Sequence, residues 1–168
     1  MSEAETAVAL ACVGVVAFVS EDDALVGVEL RGGVRPPAFR LIGAAPRSAF
    51  ARDLVERLRA YDRGEDPRFD EIPLPAAPSP FQGRVRDALR GTGPGTTLSY
   101  GELAARAGSP GAARAVGGAM ARNRFPLIVP CHRVLAGRDA LGGFTGGEGL
   151  ATKRALLAHE RNAWGRAP

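Results

Sequence analysis

The stretch SYGELAARAGSPGAARAVGGAMARN, residues 99–123, decides how the second half of the chain is read. Ser99 with Glu102 three residues later is a capping box: the hydroxyl accepts from the Glu102 amide while the carboxylate accepts from the Ser99 amide. The helix that starts there stops at Gly108, a residue free to take the left-handed conformation. Ser109 and Pro110 then restart a helix, serine as N-cap and proline in the first turn, running to about Arg122. Two short helices joined by a two-residue turn form the pattern of a helix-turn-helix.

The second helix is informative for what it lacks. Val116 and Met120, four apart, face the core, which leaves Arg114, Gly117, Gly118 and Ala121 on the outside. Reading a major groove takes several long polar side chains, and this face offers Arg114 and Arg122 among alanine and glycine. It would let a partner approach the backbone closely while reading almost no sequence. A glycine-weakened helix packed on another helix would look the same.

The charge distribution tips that balance toward DNA. The net charge of +4 conceals a split: residues 1–80 carry 9 basic and 13 acidic groups, residues 81–168 carry 13 and 5. A basic half on an otherwise acidic chain suits a polyanion partner. Of the 22 basic residues 21 are arginine, a bias that genome composition could also produce, so the distribution carries more weight than the total.

Working outward, residues 62–80, DRGEDPRFDEIPLPAAPSP, hold five prolines with dense charge and read as a linker between two domains. The segment 81–93, FQGRVRDALRGTG, sets Phe81, Val85, Ala88 and Leu89 on one helical face. Before the linker, residues 7–44 read as short strands with glycine turns. A helix follows over 47–61, with Phe50, Leu54, Leu58 and Tyr61 on its apolar face. The expected fold class is α+β: an N-terminal α+β domain, 1–76, and a mostly helical C-terminal domain, 77–168, with the helix-turn-helix. The apolar run 7–19 is too short to cross a bilayer, follows acidic residues and reads as core strands, so no membrane anchor is expected.

Two cysteines far apart give neither a disulfide framework nor a metal knuckle, which points to a reducing, cytoplasmic setting and to no metal or cofactor. Cys12 reads as a small buried hydrophobe. Cys131 lies in LIVPCHRVL, residues 127–135, with His132 and Arg133 directly after it. Cationic neighbours lower a thiol pKa, and the thiolate is the nucleophile. A strand over 127–129 is expected to end at Pro130, and adjacent strand side chains point apart, so a Cys-His pair needs a turn or a bridging water. A third group must orient the imidazole. Glu160 fits best, because it follows Leu156 and Leu157 on the apolar stripe of a helix; His159 reads as an exposed bystander. The loop LGGFTGGEG, 141–149, has five glycines that permit close approach to a ligand, without the phosphate-binding P-loop pattern.

From FQGRV to about Glu160, the segments SYGELA, AARAVGGAM, RNRFPLIVPCHRV, LGGFTGG and KRALLAHE resemble the O6-alkylguanine-DNA alkyltransferases, also called methylated-DNA-protein-cysteine methyltransferases. The resemblance implies a ribonuclease-H-like N-terminal domain. It implies a monomeric protein that binds duplex DNA through the minor groove, cooperativity being left open, and flips an O6-alkylated guanine out of the stack. The alkyl group passes irreversibly to Cys131 in a single turnover. By the same resemblance Arg114 fills the gap left by the flipped base, and Ala113, Gly117, Ala121 and Arg122 lie on the DNA face. Tyr100 rotates the phosphate and contacts the base, and Asn123 ties the recognition helix to the active-site turn. Glu160, His132 and a water take the thiol proton. Arg133, Val134, Phe144 and Thr145 border the guanine pocket. Arg86 stands where tryptophan is usual in the family, suggesting looser interdomain packing or a phosphate contact; Phe144 and Thr145 replace the commoner tyrosine and serine. A damage sensor without transfer, or a cysteine hydrolase, are the competing readings. The first is disfavoured by the presence of Cys131, the second by the helix-turn-helix, which it would not use.

Overall fold

The computed structural model describes residues 4–9, 12–20, 22–31, 40–42, 46, 48–137 and 140–165. Four strands, β1 (Ala4–Ala9), β2 (Gly14–Val19), β3 (Leu25–Arg31) and β4 (Arg40–Ile42), form an antiparallel sheet in the order β3-β2-β1-β4. Val15, Ala17 and Val19 alternate into the core from β2, as a two-residue period requires.

Helix α1 (Ala49–Arg63) is capped by the Ser48 hydroxyl on the Ala51 amide and stopped by Gly64 at φ 76°. Its stripe Ala51, Leu54, Val55, Leu58 and Tyr61 is buried in the same core as the sheet residues. Where described, the expected strands and helix of this half are present; residues 10, 11, 21, 32–39, 43, 44 and 47 of that reading lie outside the described residues.

The proline-rich segment after α1 is held in place. Arg57 reaches from α1 to the carbonyl of Arg68 at 2.6 Å and to Glu71 at 3.1 Å. From the other side Arg90 donates to the carbonyls of Phe69, Asp70 and Ile72. Phe69 and Ile72 are buried, which anchors a short 3-10 turn, Phe69–Glu71. Arg86 donates to the Pro75 carbonyl at 2.7 Å, so this departure from the family pattern ties the segment down.

Helix α2 (Pro80–Arg90) buries Val85 and Leu89, with Phe81 and Ala88 packed at its margin. Strand β5 (Leu98–Ser99) pairs in parallel with β6 (Val134–Leu135). Helix α3 (Tyr100–Arg106) begins with both halves of the Ser99–Glu102 capping box. Helix α4 (Ala113–Ala121) differs from expectation: it starts at Ala113, with Ala112 as N-cap and no side-chain cap. Gly111, at φ 86°, and a Ser109–Ala112 backbone bond shape the connection. The chain thus spends residues 107–112 between the helices, because the left-handed Gly111 stops Ser109 and Pro110 from being a first turn. Val116 is fully buried and Arg114 and Ala121 are exposed, as the spacing predicts.

Residues 127–129 are not a strand either. Leu127 adopts φ 75°, the Val129 amide bonds to the Phe125 carbonyl, and one isolated bridge joins Pro126 to Val129. The chain then enters a 3-10 turn over Cys131–Arg133. Helix α5 (Leu150–Trp164) closes the unit, burying Thr152, Lys153, Leu156 and Glu160.

Candidate active site

The 3-10 turn after Pro130 aims its side chains in different directions. Cys131 turns toward the end of α4, where the Asn123 amide nitrogen lies 3.2 Å from Sγ and donates to the Val129 carbonyl at 2.9 Å. The Asn123 side-chain oxygen accepts from the Phe125 amide at 3.0 Å. One asparagine therefore fixes both the approach to the turn and the sulfur.

His132 and Arg133 face the opposite way, onto Glu160. His132 Nε2 lies 2.7 Å from Glu160 Oε1, and both side chains are buried. Arg133 donates Nη2 to Oε1 at 2.8 Å and Nε to Oε2 at 3.0 Å, and Nη1 to the Thr92 carbonyl at 2.5 Å. Expected beside the guanine pocket, Arg133 is instead buried against Glu160. The Gly95 amide donates to Oε2 at 2.8 Å, and the Tyr61 hydroxyl to Oε1 at 3.0 Å.

Burial pushes the Glu160 carboxyl up, but His132 and Arg133 outweigh it and hold it well below the usual carboxylate range. A carboxylate accepts only, so His132 carries its proton on Nε2 and keeps its lone pair on Nδ1. That Nδ1 is buried without a hydrogen-bond partner among the described residues. Burial lowers the His132 pKa, partly offset by Glu160. The imidazole is therefore neutral at pH 7, with a free basic nitrogen.

The expectation that cationic neighbours lower the thiol pKa of Cys131 is overturned. Burial raises it, against smaller opposing contributions from the Asn123 hydrogen bond and the Lys153 charge. Arg133 is spent on Glu160 and His132 is neutral, so little positive charge is left for the sulfur. The resting group is a thiol that needs a base at the moment of reaction. Cys12 is more inert still: burial and the Asp62 carboxylate push its thiol up to about 12.

The glycine-rich loop is fixed by a residue that the sequence reading passed over. Lys153, fully buried on α5, sends Nζ to the carbonyls of Val134 at 2.5 Å, Leu141 and Gly143. Burial lowers its pKa, partly opposed by Cys131. Tyr100 packs on the same loop: a Cβ at Gly142, which has φ 68°, would lie 3.0 Å from its ring. Burial and then the Cys131 charge raise the Tyr100 pKa. Phe144 is half-buried and Thr145 exposed on this loop, while Val134 is fully buried in β6.

His159 is no exposed bystander. Its Nε2 meets the Tyr61 carbonyl at 3.0 Å, and its ring packs against Tyr61 and Trp164. Arg114 and Arg122 are exposed on or just after α4, apart from the buried cluster. Among the described residues no cluster of His, Cys, Asp and Glu could hold a metal ion, and no helix is long and apolar enough to cross a membrane.

Residues 80–162, which contain this whole cluster except Tyr61, match the family model described as 6-O-methylguanine DNA methyltransferase, DNA binding domain. A methylated-DNA-protein-cysteine methyltransferase of Mycolicibacterium paratuberculosis is 42% identical over 149 residues, covering 89% of this chain and 87% of that protein. The chain belongs to this family. A relative of the same name from Mycobacterium bovis is 46% identical over 114 residues, 68% of this chain and 66% of that protein. Among solved structures, Mycobacterium tuberculosis OGT in complex with DNA superposes with a TM-score of 0.66 at 32% identity, over 89% of this chain and 88% of that one. The O6-methylguanine-DNA methyltransferase of Pyrococcus kodakaraensis, at 20% identity and TM-score 0.59, shares the fold over 95% of this chain and 99% of that one.

Proposed function

We propose that this chain repairs alkylated DNA by moving the O6-alkyl group of guanine onto Cys131, once per molecule. The observation that carries the assignment is the part-buried Asn123–Cys131 contact together with the buried His132–Glu160 pair. It supplies an oriented thiol on the same 3-10 turn as an imidazole whose tautomer is fixed. One water between Sγ and His132 Nδ1 completes the relay. The thiol proton passes through it to His132, whose imidazolium Glu160 stabilises. Sulfur attacks the alkyl carbon, the S–C bond forms as the C–O6 bond breaks, and the electron pair passes to the guanine ring. Guanine regains one proton, equal to the one that Cys131 gave up. Nothing in the site reverses a thioether.

In this reading α3 and α4 act as a helix-turn-helix on the minor groove, where the small face of Gly117 and Ala121 suits damage lying in any sequence. Extrusion of the base is needed because O6 lies on the major-groove edge, out of reach of a protein docked in the minor groove, and Arg114 takes its place. Ala113 and Arg122 add backbone contacts, and Tyr100 and the Phe144–Thr145 loop receive the guanine. The division near residues 76 and 77, a ribonuclease-H-like N-terminal unit built on the β1–β3 meander and α1, a monomeric state and a cytoplasmic setting belong to the same proposal.

The test is an intact-mass and peptide-mass measurement after incubation with a duplex carrying one O6-methylguanine. A single added methyl on the peptide holding Cys131 is expected. An unchanged mass, with repair undiminished in Cys131→Ala, would sink the assignment.

A further inference from the structure

Glu160 receives one donor from outside the matched C-terminal region, the Tyr61 hydroxyl at the end of α1. Tyr61 is fully buried, and its ring packs on Phe69, His159 and Trp164, so the hydroxyl is held in place from three sides. The N-terminal unit also touches the site from β3. The Val28 amide on edge strand β3 donates to the Arg124 carbonyl at 2.8 Å, just ahead of the active-site turn, and Leu30 lies against Gly146 in the glycine-rich loop.

We infer that Tyr61 is a positioning residue for the reaction: its hydroxyl restrains Glu160 and so sets the pH at which His132 can take the proton of Cys131. This rests on the relay proposed above. Oε1 is shared among Tyr61, His132 and Arg133. Every donor on that oxygen draws electron density from the others, so removing the hydroxyl leaves more for His132 Nε2–H. The imidazolium is then better stabilised, and the thiol gives up its proton at lower pH. The charged or titratable groups acting on Glu160 or Tyr61 are His132 and Arg133 from the 3-10 turn, Cys12 from the N-terminal unit and His159 from α5, with Lys153 acting on His132 and Asp62 on Cys12. Tyr61→Phe removes none of these charges, so the altered sharing of Oε1 is what reaches His132.

The experiment compares full-length wild type with Tyr61→Phe, which keeps the ring packing. Iodoacetamide alkylation of the Cys131 peptide is followed by mass spectrometry from pH 6 to 10, and thermal melts monitor folding. The apparent pKa of Cys131 is expected to fall by roughly 0.7 unit, about a fivefold rise in reactive thiolate, as the loss of one hydrogen bond implies. In a Glu160→Gln background the same substitution should give no further shift. A superimposable profile, an upward shift, or an equal downward shift without Glu160 would overturn the inference. The readout needs no DNA, so it stands apart from whether Cys131 accepts the methyl group, which the mass measurement decides.

Discussion

Replacing Glu160 by glutamine should damage stability and reactivity together, and the structure gives the size of each effect. Oε1 accepts from Tyr61, His132 and Arg133, and Oε2 from Gly95 and Arg133. A glutamine amide has one oxygen, so whichever way it turns its NH2 group faces a donor, and Arg133 loses its counter-charge in a buried place. Removing one partner of a buried ion pair costs about 3–5 kcal/mol. For a chain of this length that lowers the melting temperature by roughly 10 °C. The carboxylate also stabilises the His132 imidazolium. Losing a charge-assisted bond of roughly 1.5–3 kcal/mol slows methyl transfer about 10- to 100-fold. The pH dependence has a definite sign. The folded-state pKa of Glu160 is depressed, so its stabilisation is complete above the ordinary carboxylate value of 4.5 and is lost as pH falls through the lower folded value. His132 is also depressed, by burial, so stability declines already as pH falls below about 6.5. Glu160→Gln should keep the histidine limb and lose the carboxylate limb. Thermal melts from pH 3 to 8 and single-turnover transfer rates check both. A melting temperature within about 2 °C of wild type, with an unchanged pH–rate profile, would refute the reasoning.

Two further substitutions probe the rest of the site. Arg114→Ala, at an exposed position, should leave stability within about 0.5 kcal/mol while slowing methyl transfer from duplex DNA. Transfer from free O6-methylguanine base should stay unchanged, and equal slowing of both would remove the role in base extrusion. Lys153→Met leaves the carbonyls of Val134, Leu141 and Gly143 without their cation. It should cost about 1–3 kcal/mol, read in a urea unfolding curve, and raise proteolysis within residues 134–149; unaltered cleavage there would show that the lysine does not hold the loop.

The parts of the fold carried by local rules were legible in the sequence. The Ser99–Glu102 box, the Gly108 stop and the α1 stripe depend on neighbours within one helical turn, and they stand where the pattern put them. Errors arose where a residue type permits two conformations. Ser109-Pro110 can open a helix or lie in a turn, and the left-handed Gly111 selects the turn. The apolar run Leu127–Val129 is strand-like in composition, but Leu127 at φ 75° and the tight turn bonds Val129–Phe125 and Cys131–Val129 take it out of a strand. Glu160 was found because a carboxylate on an apolar stripe needs a partner. Lys153, the one lysine in the chain, lies three residues before Leu156 and seven before Glu160 on that same stripe, so the same argument would have found it. Tyr61 offered no such signal, since a tyrosine on an apolar helix face is ordinary core, and its partner lies 99 residues away.

The 3-10 turn also answers the difficulty raised by adjacent Cys131 and His132. In a strand, successive side chains would alternate, and Cys131 and Arg133 would share a face with His132 opposite. In a 3-10 turn each residue advances about a third of a circle, so three consecutive side chains take three directions. Two of these, His132 and Arg133, converge on Glu160, and the third sends Cys131 to Asn123. Arg133 neutralises Glu160 without charging the thiol, which keeps the sulfur protonated at rest. The imidazole, held by its other nitrogen, keeps its basic nitrogen free. For a nucleophile that can be spent only once, a resting thiol guards against reaction with the wrong electrophile. In the relay proposed above, His132 then supplies thiolate when the correct alkyl carbon is in place.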